Sequence, residues 1–255
     1  MSDEVESEPT TEEIGTADGP IRAPERVLVV VAHPDDIDFG CAGTIATLTD
    51  AGSHVAYCLV TSGDAGDDDL RVTQEELAAL REGEQTAAGQ VVGVTEIHWL
   101  KHPDGMVVAD LALRRDISRV IRQVKPNVVI TQTAERNWDR IYGSHPDHLA
   151  TGEATISAVY PDARNPRAHP ELLEEGLQPH AVPEVWVTGL EPNRFIDITD
   201  VFERKCDALR AHKSQTEKMG DRLPELLKEW GEQTAQRAGL DRNRMAEAFR
   251  VVNTA

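Results

Sequence analysis

From Val27 to Thr188, short runs of continuous apolar residues alternate with longer segments whose apolar positions recur every three or four residues. Val27–Val31 and His54–Thr61 read as strands, and Gly43–Asp50 between them as a short helix, which makes a βαβ unit. Thr73 and Glu76 have the spacing of a capping box ahead of a helix running to about Gln90, and GVTEIHWL supplies a third strand. Asp110 opens a helix bearing Leu111, Ile117, Val120, Ile121 and Val124. Pro126 ends that helix before a fourth strand, NVVIT. A further helix follows Pro146. After it come a Pro-rich stretch from Pro161 to Pro183, strands at Val185–Thr188 and Phe195–Ile198, and helices expected to the end of the chain. No internal repeat is present.

Four strands with three intervening helices imply an α/β fold: a Rossmann-like, doubly wound, mostly parallel sheet with helices on both faces and a helical C-terminal region. A length of 255 residues suits one large domain with a substantial core, expected over residues 21–255. Residues 1–20, polar, acidic and poor in aromatics, read as a disordered tail.

Charge narrows the partners. A formal net charge of −19 argues against nucleic acid and anionic membrane surfaces and points to small molecules or cations. A homo-oligomer is compatible with it. No run of 18 apolar residues occurs, and the acidic N-terminus lacks Lys and Arg, so neither a spanning helix nor a signal peptide is expected. Cys41, Cys58 and Cys206 are odd in number and show no CxxC spacing, which fits free, core-packed thiols in a reducing, cytoplasmic setting.

The candidate chemistry lies at strand ends. AHPDDIDFG leaves the first strand with one histidine and three carboxylates, an arrangement that is costly unless something cationic sits there. Parallel sheets bind ligands outside the carboxyl ends of their strands, and the loop after the fourth strand delivers Ser144-His145-Pro146-Asp147-His148 to the same edge. With Pro146 at the first helical position, His145 and His148 can face one site. Two histidines and a carboxylate then suit an open catalytic zinc site, which keeps a position for water.

With these residues in hand, AHPDDIDFGCAGTIATL and the later HPDH resemble the two signatures of the LmbE-like or PIG-L family of zinc N-deacetylases, which includes the deacetylases of mycothiol and bacillithiol biosynthesis. The segment from Arg81 to Thr131 is similar to the family's middle region, and DITDVFERKCDALRAHKSQ resembles its later helix. The resemblance implies that His33, Asp36 and His148 hold Zn2+, with Fe2+ or another divalent ion as alternatives. It leaves Asp35 free as general base, turns His145 toward the developing oxyanion, to stabilise it or to protonate the leaving nitrogen, and sets Asp147 to orient His145 or merely to favour the helix dipole. By the same resemblance, Arg81 and Asp104 would contact an N-acetylglucosamine unit, with a surface salt bridge as the other reading of Arg81. Trp138 and Tyr142, in the loop before HPDH, could flank a sugar or anchor the loop. Many family members place Glu directly after HPDD; here Ile37 stands there and the acid follows as Asp38, which leaves Asp38's supporting role open.

The expected activity is zinc-dependent removal of acetyl from an N-acetylglucosamine-type sugar or its conjugate. Alternatives are an amidase cleaving a mycothiol-type conjugate, a non-haem Fe(II) oxygenase using two histidines and a carboxylate, and a non-catalytic metal-stapled binding module. Neither GxGxxG nor a Walker lysine supports nucleotide binding, GDAGDDD lacks EF-hand spacing, and no GxSxG elbow occurs.

Overall fold

The structure, a computed structural model, describes residues 11–254. A small ribbon of β1 (Glu13–Ile14) and β2 (Ile21–Arg22) leads into β3 (Arg26–Val31), α1 (Asp36–Asp50), β4 (His54–Thr61), α2 (Gln74–Val91) and β5 (Glu96–His102). Then follow α3 (Leu111–Val124), β6 (Val128–Gln132), α4 (Pro146–Ser157), α5 (Pro170–Glu174), β7 (Glu184–Thr188) and β8 (Arg194–Asp197). The chain continues through α6 (Phe202–Ala211), α7 (Lys213–Thr216), α8 (Arg222–Arg237) and β9 (Ala246–Asn253).

Seven strands form one sheet in the order β5-β4-β3-β6-β7-β9-β8, with β3 to β7 mutually parallel and β9 antiparallel to both its neighbours. The winding reverses between β3 and β6, so a crevice opens at their carboxyl ends. Successive β3 side chains feed opposite layers. Val27, Val29 and Val31 pack with Ile45, Leu48, Leu209 and Leu227, whereas Leu28 and Val30 pack with Leu113, Ile117, Ile121 and Ala154. The apolar runs are therefore buried on both faces, as parallel sheets require. The capping box of Thr73 and Glu76 and the Asp110 cap of α3 are both present.

Three expectations are corrected. The first helix begins at Asp36 rather than Gly43 but breaks at Cys41 (φ −151°, ψ 16°), so Gly43 opens its second segment. The freed amides of Gly43 and Thr44 donate to the Glu247 carboxylate at 3.1 and 2.7 Å, and Lys205 Nζ, 2.5 Å from Glu247 Oε1, also donates to Phe39 O. The chain does not end in helices, because β9 inserts between β7 and β8. Its Ala- and Glu-containing start looks helical, yet ladders on both sides and burial of Ala246 and Phe249 outweigh that preference. Of the expected tail, residues 1–10 lie outside the described residues, and from Thr11 the chain is docked. Ile14 is 2% exposed within the core, Glu12 N–H donates to Ala51 O, and Ala17 N–H donates to Phe195 O. All three cysteines are buried and free. Among the described residues no helix is long and apolar enough to cross a membrane.

Candidate active site

Both histidine clusters reach the β3/β6 crevice because their backbones are pinned there. Ala32 N–H donates to Gln132 Oε1 at the end of β6, and Thr61 donates to Ala32 O from β4. The chain then turns through Asp35 in the left-handed region (φ 82°), where its N–H donates to Gln85 Oε1 at 2.9 Å. Few residues other than glycine occupy this region, and such strain gathers at functional sites. On the other side, α4 starts at Pro146 with His145 as its N-cap, and Gly152 lies so close to β6 that a Cβ would overlap Gln132 O. That close approach brings the first turn of α4, with His148, over the strand ends.

The outcome is a compact set of donor atoms. His33 Nδ1 lies 3.2 Å from His148 Nε2 and 3.3 Å from Asp36 Oδ2, and His148 Nε2 lies 3.0 Å from Asp36 Oδ1. A tetrahedral ion with bonds of about 2.0–2.1 Å holds its ligands about 3.3 Å apart, so these residues fit a zinc-sized cation. His145 also falls near His33 and His148. Its Nδ1, however, already accepts the Asp147 N–H at 3.2 Å, and Asp36 is anionic and nearer, so Asp36 makes the better third ligand.

The opposite nitrogen of His33 is equally engaged. Nε2 lies 2.9 Å from Asp104 Oδ1 and 3.3 Å from Asp147 Oδ2, which fixes its hydrogen there and leaves Nδ1 as the free donor atom. Burial alone would lower the His33 pKa, but hydrogen bonds to Asp104, Asp147 and Asp36 hold it up to about 11. Burial would likewise raise Asp36, yet His148 and His33 keep it well below the usual carboxylate range. Asp36 is thus the one anion among the three groups, and a bound cation would take the place of the proton that the surrounding carboxylates favour on His33.

These contacts bear on three sequence expectations. Asp147 does not orient His145 through its carboxylate: fully buried, it faces His33 and accepts Gly105 and Val107 N–H at 2.7 and 3.2 Å, and only its backbone amide touches His145. Asp104 has partners at both oxygens, since Oδ1 is on His33 and Oδ2 accepts Ala65 N–H. Arg81 is neither on the surface nor open to a sugar. It is 4% exposed and donates to Gly63 O, Pro34 O and Asp35 Oδ2 at 3.0, 2.8 and 3.2 Å. Gly63 has φ +70°, and a Cβ there would overlap the guanidinium.

Asp35 therefore sits beside the donor set, paired with Arg81. Its pKa is pushed up to about 7 by burial and then by Asp36, with Arg81 opposing. His145, exposed at the mouth, has its pKa lowered by burial and by His33. With Nδ1 accepting, its neutral ring carries the hydrogen on Nε2 and is a donor. Tyr142 and Trp138 are 90% and 81% exposed on the loop entering His145, and Arg136 stacks 5.9 Å from the Trp138 ring.

Asp38 has a definite place. Fully buried, its Oδ2 accepts from Gln85 Nε2 and His212 Nε2, both at 2.8 Å. Sequence reasoning passed over Gln85, Gln132 and His212. For Gln85 a signal existed: the buried stripe of α2 reads Leu77, Arg81, Glu84, Gln85, Ala88, and polar residues inside such a stripe must be answering other polar groups.

Comparison with known proteins supplies the family. The family model described as GlcNAc-PI de-N-acetylase, PIG-L, matches residues 28–159, just over half of the chain. The diacetylchitobiose deacetylase of Thermococcus kodakarensis is 37% identical over 197 residues, 77% of this chain and 72% of that protein. A probable N-acetyl-alpha-D-glucosaminyl L-malate deacetylase 2 of Bacillus subtilis is 32% identical over 80% of this chain and 89% of its own length. In structure, the N,N'-diacetylchitobiose deacetylase of Pyrococcus horikoshii superposes with a TM-score of 0.79 at 30% identity, covering 90% of this chain and 84% of that one. The fold, the paired histidine clusters and these matches together place the chain in the PIG-L (LmbE-like) family of de-N-acetylases.

Proposed function

We propose that this chain is a metal-dependent amidohydrolase that removes the acetyl group from an N-acetylglucosamine-type sugar or its conjugate, with zinc as its ion. The observation that carries this reading is the convergence of His33 Nδ1, His148 Nε2 and Asp36 within 3.0–3.3 Å, next to a carboxylate, Asp35, that is not among them. An ion held by the three would polarise the acetamide carbonyl and lower the pKa of a water.

The chain's own residues supply the rest. Asp35, fixed by Gln85 at its backbone and Arg81 at its carboxylate, accepts the proton of the attacking water. His145 donates from Nε2 to the oxygen on which negative charge develops, and needs no extra proton to do so. Asp104 and Asp147 hold the His33 ring in the orientation that points Nδ1 at His148 and Asp36. When the C–N bond breaks, the proton on Asp35 passes to the leaving nitrogen, giving acetate and a free amine. Tyr142 and Trp138 offer apolar faces where the sugar would enter.

The test is anaerobic acetate release from N-acetyl-D-glucosamine and N,N'-diacetylchitobiose by wild type and Asp35→Asn, both fully metal-loaded. Substitution should keep the metal and cost roughly 10²- to 10⁴-fold in kcat, the usual worth of a positioned acid-base group. Equal rates would remove Asp35 as base. Absence of acetate across a panel of N-acetylglucosaminides would overturn the deacetylase reading, and a requirement for oxygen would favour the oxygenase.

A further inference from the structure

Beside Asp36 and His148, the sheet and α1 do not close on one another. A cavity of about 240 Å³ opens between β3, β6 and the start of α1; Asp36 and His148 lie on its wall, and Val29, Val31, Ile130 and Cys41 supply apolar surface. A second cavity, of about 210 Å³, shares Phe39, Gly40 and Thr188 with the first and extends between α1, α8 and β9 to Trp230. Phe39 and Gly40, just before the break in α1, line both, as does Thr188, so the two adjoin, and we take them as one cleft of which only the first part reaches Asp36 and His148. An acetyl methyl would fill little of it.

The polar groups along this cleft are largely spent. Lys205 and Glu247 answer each other and the backbone of Phe39, Gly43 and Thr44. Gln132 Oε1 accepts the Ala32 N–H, Thr188 Oγ1 donates to Thr131 O, and Thr234 Oγ1 donates to Trp230 O. Thr131 Oγ1 is left without a partner. A sugar ring placed here would give up water at several hydroxyls for few replacements, which is costly, whereas an alkyl chain would lose nothing and gain apolar burial.

We infer that this cleft receives the acyl chain of the substrate, and that the enzyme hydrolyses N-acylglucosamines whose linear acyl chains are longer than acetyl. The inference rests on the deacetylase reading of the same site and extends its substrate class. Water adds to the acyl carbon, the C–N bond breaks, and the products are the longer carboxylate and the free amine, which takes the proton. No further reactant is needed.

The test compares amine release from N-acetyl-, N-butanoyl-, N-hexanoyl- and N-octanoyl-D-glucosamine by the metal-loaded protein. Specificity, kcat/KM, should rise by roughly fourfold for each methylene buried, mainly through KM. The second arm narrows the neck of the cleft. A Cβ at Gly40 meets nothing within 4 Å, so Gly40→Leu has room, and it should abolish the gain for hexanoyl and octanoyl while acetyl turnover stays at the wild-type level. Thr188→Leu narrows the same neck from the sheet and serves if the first variant does not fold. Cleavage of the acetyl compound but not of the hexanoyl or octanoyl compounds overturns the inference and leaves the deacetylase standing. Loss of all four substrates equally in folded variants also overturns it, and failure of wild type on all four removes both readings.

Discussion

Arg81 Nη2 lies 3.2 Å from Asp35 Oδ2 and 2.8 Å from Pro34 O, so a cation reaching from α2 grips the loop immediately before Asp36. The family resemblance implies a sugar contact for Arg81, in which case Arg81→Ala would raise KM with little change in kcat. Burial reverses this expectation. Arg81→Ala should lower kcat, on the order of 10²-fold, the cost of an ångström-scale displacement of a reacting group, with KM changed less. Arg81→Lys should recover only part of it, because an ammonium cannot reproduce the planar fork that meets Gly63, Pro34 and Asp35 together. Steady-state kinetics on one acetylated sugar decides, and a pure KM effect would return Arg81 to the substrate.

A second expectation concerns Asp104 and Asp147, which share the Nε2 side of His33. Carboxylates behind a ligating histidine fix its tautomer and raise its basicity, and losing one typically costs 10- to 100-fold in metal affinity. Asp104→Asn should therefore bind zinc more weakly by roughly that factor, and Asp36→Ala or His148→Ala should lose it. Competition against a chelator with a metallochromic indicator measures this without any turnover. Unchanged affinity in Asp104→Asn would leave that residue to the sugar, as the sequence first suggests.

How much of this was legible in the chain follows from which contacts are local. The buried strands, the Thr73 and Asp110 caps, and the meeting of HPDD with HPDH at one sheet edge all follow from residue pattern, since a doubly wound sheet leaves few other places for strand-end loops. The partners of the candidate catalytic side chains do not follow. Arg81 meets Asp35 across 46 residues and Asp38 meets His212 across 174, and nothing in either neighbourhood names the other. The Lys205–Glu247 pair that caps the second half of α1 is hidden in the same way, as is β9, whose composition suggests a helix and whose place in the sheet is set by its two neighbours.

The docked N-terminal ribbon gives a stability prediction. Ile14 is buried in the main core and Thr11 Oγ1 donates to Ala23 O, so deletion of residues 1–19 removes packed structure. Ile14→Ala should cost about 2–5 kcal/mol, the usual range for emptying a buried isoleucine site. Deletion through Gly19 should cost at least as much. Chemical denaturation of both variants checks it, and wild-type midpoints would show that the ribbon does not contribute to stability.

His212 supplies the pH dependence. Its side chain is fully buried, Nε2 meets Asp38 Oδ2 at 2.8 Å, and Nδ1 has no partner. Burial alone would lower its pKa, but the hydrogen bond and charge of Asp38, joined by the charges of Asp35 and Glu84, raise it above the ordinary value. A folded pKa above the unfolded one means that the folded state holds the proton more tightly. The resulting stability is fully present below the unfolded value, about 6.5, and is lost as pH rises through the folded value. Compared with His212→Gln, in EDTA so that metal binding does not contribute, wild type should show its largest Tm advantage below about pH 6.5 and a shrinking one above it. A Tm difference that stays flat from acid to alkaline pH would mean that folding leaves the His212 pKa unchanged, and one that grows with pH would mean that the buried ring is held neutral, with Nδ1 a bare lone pair.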